Sequence, residues 1–420
     1  MLNPNTLKPN KRIMNCSHNP AIVVIAYNRV KPLKRLLESL EKASYPKSNV
    51  ELVISIDYSN NPEVSKVAEN FKWLYGTKRV IAHKENLGLR KHVLLCGDLT
   101  ERYGAVIILE DDLYVSPLFY MYATQSLQYY SSDKKIAGIS LYSHRTNLNC
   151  YRPFESIADG SDVYFLQFAA SWGQIWTADQ WSRFREWYNS EKKTVTKEDN
   201  IPDSVISWPE SSWLKYFIKY MVTNELYFVY PRNSLTTNYS EPGTHNSKAS
   251  SLFQVPFLID RSQNIWKFKD FSSSVAVYDV YFELNPKSFE NISENLKVKD
   301  ITIDLYGTKV LEKIKTSYII TSRPCKNVVI SFGCIFKPRE LNVLLGVQGT
   351  HFYLAKTEDV QKSSSRPNWE IEYDINLNPD RPLCSYIGGE FLKLLSMKLK
   401  QKLLGVNLFA RNRTRARVRM

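Results

Sequence analysis

A chain of 420 residues with 43% hydrophobic content is too long for one ordinary domain and too apolar to be disordered throughout. Of its net charge of +14, nine basic residues fall in the last thirty positions with no acid among them: Lys393, Lys398, Lys400, Lys402, Arg411, Arg413, Arg415, Arg417 and Arg419. The remainder is only mildly basic, which argues against a nucleic-acid platform, and six cysteines without CxxC spacing point to a reducing compartment rather than a disulfide scaffold.

Residues 1–19 read as a polar leader, with no apolar core of a signal peptide. Ala21-Ile22-Val23-Val24-Ile25-Ala26 then reads as a buried strand ending in Tyr27-Asn28-Arg29. A helix follows with Pro32 in its first turn and Leu33, Leu36, Leu37 and Leu40 on its buried face. A second strand, Val50 to Ile56, ends on Asp57 and the turn residues Tyr58-Ser59-Asn60-Asn61-Pro62, ahead of a helix carrying Val64, Val67, Ala68 and Phe71. A third strand spans Arg79 to His83. After it, Glu85-Asn86-Leu87-Gly88-Leu89-Arg90-Lys91 opens a helix to about Tyr103, as a plain loop and helix start or as a loop facing phosphate.

The fourth strand is the apolar run Val106-Ile107-Ile108-Leu109, which ends in Glu110-Asp111-Asp112. Strand-helix alternation at this spacing predicts right-handed βαβ units, a mostly parallel Rossmann-like sheet with helices on both faces. Arg29, Asp57 and the three acids then reach one sheet edge, where ligands of such folds bind. Each has a plain alternative: a surface cation, a turn acid, a solvated acidic junction. Together they suit a nucleoside diphosphate, because adjacent carboxylates repel and a divalent Mg²⁺ or Mn²⁺ supplies the counter-charge.

Val-Val-Ile-Ala-Tyr-Asn-Arg, Ile-Ser-Ile-Asp, Asn-Leu-Gly-Leu-Arg and Ile-Leu-Glu-Asp-Asp-Leu-Tyr-Val-Ser-Pro, in that order, resemble GT-A-fold glycosyltransferases. The form is similar to the N-acetylglucosaminyltransferase I family and its bacterial family-2-like relatives, over roughly residues 20 to 247. The resemblance implies a nucleotide-diphospho-sugar transferase in which Asp112 ligates Mn²⁺ or Mg²⁺ and Glu110 and Asp111 contact the ribose and its hydrogen-bond network. Arg29 would hold the diphosphate, Asp57 would accept from the base, and Arg90 would join the donor site.

Further on, Pro117 to Tyr130 reads as a helix, Ile136 to Leu141 as a strand, and Tyr142 to Asp162 as a loop over the site. The segment Phe168 to Trp176 leads into a helix whose Trp181, Phe184 and Trp187 are at core spacing. By the resemblance Trp172 stacks on an acceptor sugar. An inverting transferase needs a base. Ser211 and Ser212 stand where the family carries acids, so Glu210 is the nearest candidate, or else a helix N-terminal acid. After the strand Leu226 to Arg232, Gly243-Thr244-His245 resembles a loop that folds over the donor, with His245 at the phosphates or metal.

Beyond about Ser250 the runs Ile301 to Tyr306, Tyr318 to Thr321, Val328 to Phe336 and Leu341 to Val347 read as strands of a β-rich extension. In the tail, Leu392, Leu395, Leu399 and Leu403 share a helical face among lysines, the pattern of a basic amphipathic helix drawn to an anionic membrane surface. A helix packed on the body or a nucleic-acid tail are the alternatives, of which nucleic acid is disfavoured.

The expected organisation is therefore a leader over 1–19, a GT-A catalytic domain over 20–250, an accessory β-rich region over 251–388 and a basic tail helix over 389–420. The expected activity is metal-dependent, inverting transfer from a nucleotide-sugar donor, UDP-linked in the first instance, to a bacterial cell-surface glycan or lipid-linked glycan. The expected place is the cytoplasm, peripheral on the inner membrane face, since no apolar run is long enough to span a bilayer. A nucleotidyltransferase would also unite acids, metal and nucleotide, but its Gly-rich phosphate loop is missing. A non-catalytic glycan- or membrane-binding protein on the same fold is favoured only by Ser211 and Ser212.

Overall fold

The computed structural model describes residues 19–45, 49–190, 193–239, 241, 251–262, 265–290, 300–362 and 367–377. The chain forms two compact units, residues 1–365 and 366–420. His245 and the expected tail over 389–420 lie outside the described residues.

The first unit opens with β1 (Ala21–Ala26), α1 (Val30–Glu41), β2 (Leu52–Ile56), α2 (Pro62–Asn70), β3 (Lys78–Ala82), α3 (Gly88–Asp98), α4 (Thr100–Tyr103) and β4 (Ala105–Glu110). Next come β5 (Leu113–Val115), α5 (Phe119–Tyr130), β6 (Ile136–Ser140), the two-residue strands β7 (Thr146–Asn147) and β8 (Arg152–Pro153), β9 (Val163–Leu166) and β10 (Gln174–Thr177). They lead to α6 (Ala178–Asn189), α7 (Asp203–Ile206), α8 (Trp213–Thr223), β11 (Tyr227–Pro231), β12 (Thr236–Asn238), β13 (Val277–Tyr278) and α9 (Pro286–Glu290). The unit closes with β14 (Ile301–Asp304), β15 (Tyr318–Thr321), β16 (Ile330–Phe332), α10 (Glu340–Leu344) and β17 (Phe352–Lys356). In the second unit the described residues include one helix, α11 (Asn368–Leu377).

Nine strands make the central sheet in the order β13-β9-β11-β6-β10-β4-β1-β2-β3. Five neighbouring pairs are parallel and three antiparallel, the latter created by β10 between β4 and β6 and by β9 beside β11. The sheet is thus mostly parallel, as the strand-helix alternation predicts. All six residues of β1 are buried, because each side of a strand in such a sheet meets a helical layer. Ile22 and Val24 join Leu33, Leu36, Leu37 and Leu40 of α1 in one core cluster, whereas α3 packs against β1 and β4 and also meets α6 and α8. Each fully buried Val, Leu or Ile contributes roughly 1.5–3 kcal/mol relative to exposure, so the apolar runs that mark the strands also hold the layers together.

Past residue 250, β13 pairs in parallel with β9 and so enters the central sheet. A separate four-stranded sheet follows in the order β14-β15-β17-β16. Three of the four expected strand runs fall in it. The fourth, Leu341 to Val347, does not: α10 occupies Glu340–Leu344, with Asn342 turned inward to donate through Nδ2 to Phe336 O at 2.9 Å. A short aliphatic run has no period by which strand and helix can be told apart.

Among the described residues no helix is long and apolar enough to cross a membrane.

Candidate active site

The strand ends converge as the topology requires. Register pairs Ile25 with Glu110 and Ala26 with Ile56, so β1, β2 and β4 finish together at the carboxyl edge of the sheet. Arg29, just past β1, donates from Nη2 to Asp112 Oδ2 at 3.0 Å and from the same nitrogen to Asp111 Oδ1. Burial disfavours the guanidinium charge, but the two carboxylates outweigh it and hold the Arg29 pKa above its ordinary value.

One guanidinium for three carboxylates leaves the cluster short of positive charge. Glu110 is pushed up to about 8 by burial and then by the charges of Asp112 and Asp111. Asp111 rises to about 6, again through burial, although Arg29 pulls against it. Asp112 Oδ1 is buried without a hydrogen-bond partner among the described residues. No group of three or more His, Cys, Asp or Glu converges as a cation cage among those residues. The orphaned oxygen of Asp112 is the donor through which this chain would hold a hard divalent ion, which would supply the missing positive charge.

Asp57 reaches the same edge, where its backbone N–H donates to Ala26 O at 2.9 Å. Its Oδ1 accepts from Tyr58 N at 2.9 Å and Leu87 N at 2.8 Å, and its Oδ2 accepts from Gly88 N at 3.1 Å. The carboxylate therefore ties the end of β2 to the first turn of α3, where backbone N–H groups have no helical partner of their own. Gly88 meets the loop at φ +72, a conformation that suits glycine. Tyr27 and Tyr58, both exposed, flank this edge.

Arg90 belongs to a second cluster. Its Nη1 donates to Tyr216 Oη at 2.9 Å, and the Tyr216 hydroxyl in turn donates to Glu210 Oε2. Lys215 Nζ donates to Glu210 Oε1 at 2.9 Å and to Trp208 O at 3.0 Å. The hydrogen bonds from Tyr216 and Lys215 hold the largely exposed Glu210 carboxyl below its ordinary value. Ser212 is the N-cap of α8, its Oγ accepting from Lys215 N at 3.4 Å. Capping is a sufficient structural reason for a serine at that position.

Trp172 precedes β10, which runs antiparallel from Gln174 opposite Ile108, so it sits beside the end of β4. Thr236 Oγ1 of β12 donates to Trp172 O at 2.5 Å, and the ring lies 4.7 Å from Tyr142 and 5.1 Å from Phe253. A cavity of about 200 Å³ opens here, lined among others by His144, Tyr151, Trp172, Trp208, Leu214 and Phe253. Beyond β12, Glu241 accepts from Arg35 of α1 through both oxygens at 2.6 Å, and the Arg35 guanidinium lies 3.8 Å from the Tyr239 ring centre. The larger cavity of about 810 Å³, between Leu311 and Tyr318 and the segment 356–362, is lined by none of these groups.

Residues 21–147 match the family model of glycosyl transferase family 2. The fold of this segment is GT-A, as the resemblance implied. The family-2 segment holds Arg29, Asp57, Arg90 and Glu110 to Asp112, whereas Trp172 and Glu210 lie beyond it. Among solved structures, S. aureus TarS residues 1–349 in complex with UDP-GlcNAc is 14% identical, with 55% of this chain and 61% of that chain covered and a TM-score of 0.35. The mannosyltransferase PcManGT from Pyrobaculum calidifontis, in complex with GDP-Man and Mn²⁺, is 14% identical, with 45% and 51% covered and a TM-score of 0.29. The chain thus spans less than two thirds of either protein, and likenesses of that size add nothing to the topology described above. A comparison with curated protein sequences finds no match.

Three residues of the site escape sequence reasoning. Tyr216, 126 positions from Arg90, links it to Glu210, and only the place of Tyr216 one turn inside α8 hints at that. Glu241 reaches Arg35 across 206 positions. His144 sits in the stretch read as irregular, and no local pattern marks it as buried.

Proposed function

We propose that this chain is a metal-dependent glycosyltransferase that moves a sugar from a nucleotide-diphosphate donor, UDP-linked in the first instance, to a glycan acceptor. The observation that carries the reading is the pairing of Arg29 with Asp111 and Asp112 at the carboxyl edge of the sheet while Asp112 Oδ1 stays orphaned. Asp112 would hold Mn²⁺ or Mg²⁺, and the cation supplies positive charge to the departing diphosphate. Arg29, already committed to the carboxylates, would turn part of its donor fork to the same phosphates.

Asp57 accepts three backbone N–H groups, and a carboxylate offers about four lone-pair sites. One site remains for an N–H of the donor's base. Glu110 and Asp111 would face the ribose. Glu210, ionised and held by Tyr216 and Lys215, is the group that would take the proton of the acceptor hydroxyl in an inverting displacement. Arg90 steadies it through Tyr216. Trp172 would stack on the acceptor sugar. The basic tail over 389–420 supports docking to an anionic inner-membrane surface, where a lipopolysaccharide, capsule or other lipid-linked acceptor would be met.

Incubation with Mn²⁺ and a panel of UDP- and GDP-sugars tests the reading by donor hydrolysis. Asp112→Ala should abolish turnover of the accepted donor. Turnover that survives the substitution would remove the metal assignment, and no turnover of any donor would remove the reading itself.

A further inference from the structure

The four-stranded sheet after residue 300 bears an apolar surface that its own fold leaves uncovered. Fifteen large apolar side chains are exposed among the described residues, and six of them fall between positions 328 and 345: Val328, Val329, Ile330, Ile335, Phe336 and Leu345. Apolar residues scattered singly over a surface need no explanation, whereas a cluster marks a contact site.

The cluster sits on an ordered loop. Residues 333–347 leave the end of β16 and return to it, the neck closed by Gly333 N donating to Val347 O at 2.7 Å. Within the loop Asn342 of α10 is fully buried; its Oδ1 accepts from Ile335 N at 2.7 Å and Phe336 N at 2.8 Å, and its Nδ2 donates to Phe336 O at 2.9 Å. One buried amide thus fixes the backbone of Ile335 and Phe336 while their side chains stay 73% and 43% exposed. Leu345, at the C-cap of α10, is 60% exposed. Val328 to Ile330 extend the apolar surface back along β16, an outer strand of its sheet.

Charge indicates what covers it. From Pro324 to Thr350 the exposed charged side chains are Lys326 and Lys337, and the one acid, Glu340, is buried. Asp359, which accepts from Asn327 Nδ2 at 2.9 Å, lies beyond the other end of β16. A second copy of this surface would bring lysine against lysine, a residue depleted at protein interfaces, and the chain's net charge of +14 opposes self-association further. Anionic lipid matches both components: its headgroups attract the lysines, and the acyl boundary beneath takes up aliphatic and phenyl side chains.

We propose that the loop over residues 333–347 is a membrane-docking surface, in which Ile335, Phe336 and Leu345 enter the headgroup–acyl boundary of an anionic lipid layer while Lys337 pairs with a lipid phosphate. This gives the region after residue 250 a role separate from that of the basic tail, and it holds with or without the transferase reading.

The test uses the full chain and vesicles of phosphatidylcholine, alone or mixed equally with phosphatidylglycerol. Ile335→Trp places a reporter on the loop, and Leu74→Trp places one at another exposed apolar position outside the cluster. With mixed vesicles brominated in the acyl chains, the emission of Ile335→Trp should be quenched beyond that of the wild type, whose nine tryptophans set the background, and that of Leu74→Trp should not. The double variant Ile335→Ser with Phe336→Ser keeps the backbone bonds to Asn342 and should co-sediment with mixed vesicles about tenfold more weakly than the wild type. Lys337→Gln should weaken the same binding by about fivefold at low salt. Quenching at position 335 no greater than at position 74 would overturn the proposal, as would equal affinity of the double variant and the wild type for mixed vesicles, or wild-type binding to phosphatidylcholine alone that matches binding to the mixture. A wild-type dimer in sedimentation equilibrium that the double variant dissociates, with vesicle binding unchanged, would overturn it in favour of a second copy. None of these readouts involves a donor sugar, so failure here is distinguishable from failure of the transferase reading.

Discussion

Arg29→Met removes the positive charge of the carboxylate cluster while keeping most of the side-chain volume. Taking one partner from a buried ion pair costs about 3–5 kcal/mol. Here the side chains of Arg29 and Asp112 are 26% and 30% exposed, so solvent screens part of that loss, while Asp111 is 4% exposed. Proton uptake by Asp111 and Glu110, both already raised, limits it further. The expected destabilisation is therefore about 2–3 kcal/mol. Urea denaturation at neutral pH without divalent cation reads it as a lower midpoint. Mn²⁺ at a hundred times its dissociation constant adds about 2.7 kcal/mol to any protein that binds it only when folded. Because the ion supplies the positive charge that the variant has lost, the variant should bind it more tightly, and at one fixed Mn²⁺ concentration its midpoint should rise by more than the wild type's. Equal midpoints without cation, or no response to Mn²⁺ in either protein, would refute the reasoning.

Glu210→Gln should lower transfer by roughly 10²–10⁴-fold while leaving the affinity for donor unchanged; a comparable loss of donor affinity would move Glu210 out of the base role. The Asp159 side chain is buried, and although burial alone would raise its pKa, hydrogen bonds from Ser161 and Ser274 and the charge of Arg232 hold it down at about 2. Its contribution to stability is thus complete above the ordinary value of 3.8 and is lost as pH falls through about 2. Asp159→Asn should flatten that part of an acid-unfolding curve and lower stability at pH 7, and a curve that keeps its shape would contradict the pairing. Gly97→Ala, normally worth up to about 1 kcal/mol in a helix, should instead destabilise, because the added Cβ would lie 2.1 Å from Trp181 Cζ2 where α3 meets α6. A rise in thermal midpoint would show that the two helices can part at no cost.

The fold was legible where local pattern and tertiary role coincide. Apolar runs such as Ile22 to Ala26 and Val106 to Leu109 are buried on both sides, and each ends at the edge where Arg29, Asp57 and the acids gather, so chain order alone orients them. The antiparallel strands β9 and β10 are four residues each and lie among Phe, Gly and Trp, with no alternation to mark them. The entry of Val277–Tyr278 into the central sheet rests on two residues pairing with Phe165 and Leu166, a distance no local signal spans. The same holds for the site. Asp112 announces itself by its place after a strand, but the Arg90, Tyr216 and Glu210 chain is assembled from α3, α8 and the turn before α8, and only packing of those helices brings it together. His144 is hidden for another reason: a polar residue in a polar stretch gives no sign that five aromatic rings, those of Tyr142, Phe168, Trp172, Tyr230 and Phe282, will close around it.

The most direct measurement is calorimetric titration of the full chain with UDP- and GDP-sugars, with and without Mn²⁺, in the wild type and Asp112→Ala. One donor should bind the wild type only when the cation is present, and Asp112→Ala should lose that binding while keeping the wild-type far-ultraviolet circular dichroism. Donor binding that is indifferent to Mn²⁺, or retained by folded Asp112→Ala, would contradict the account.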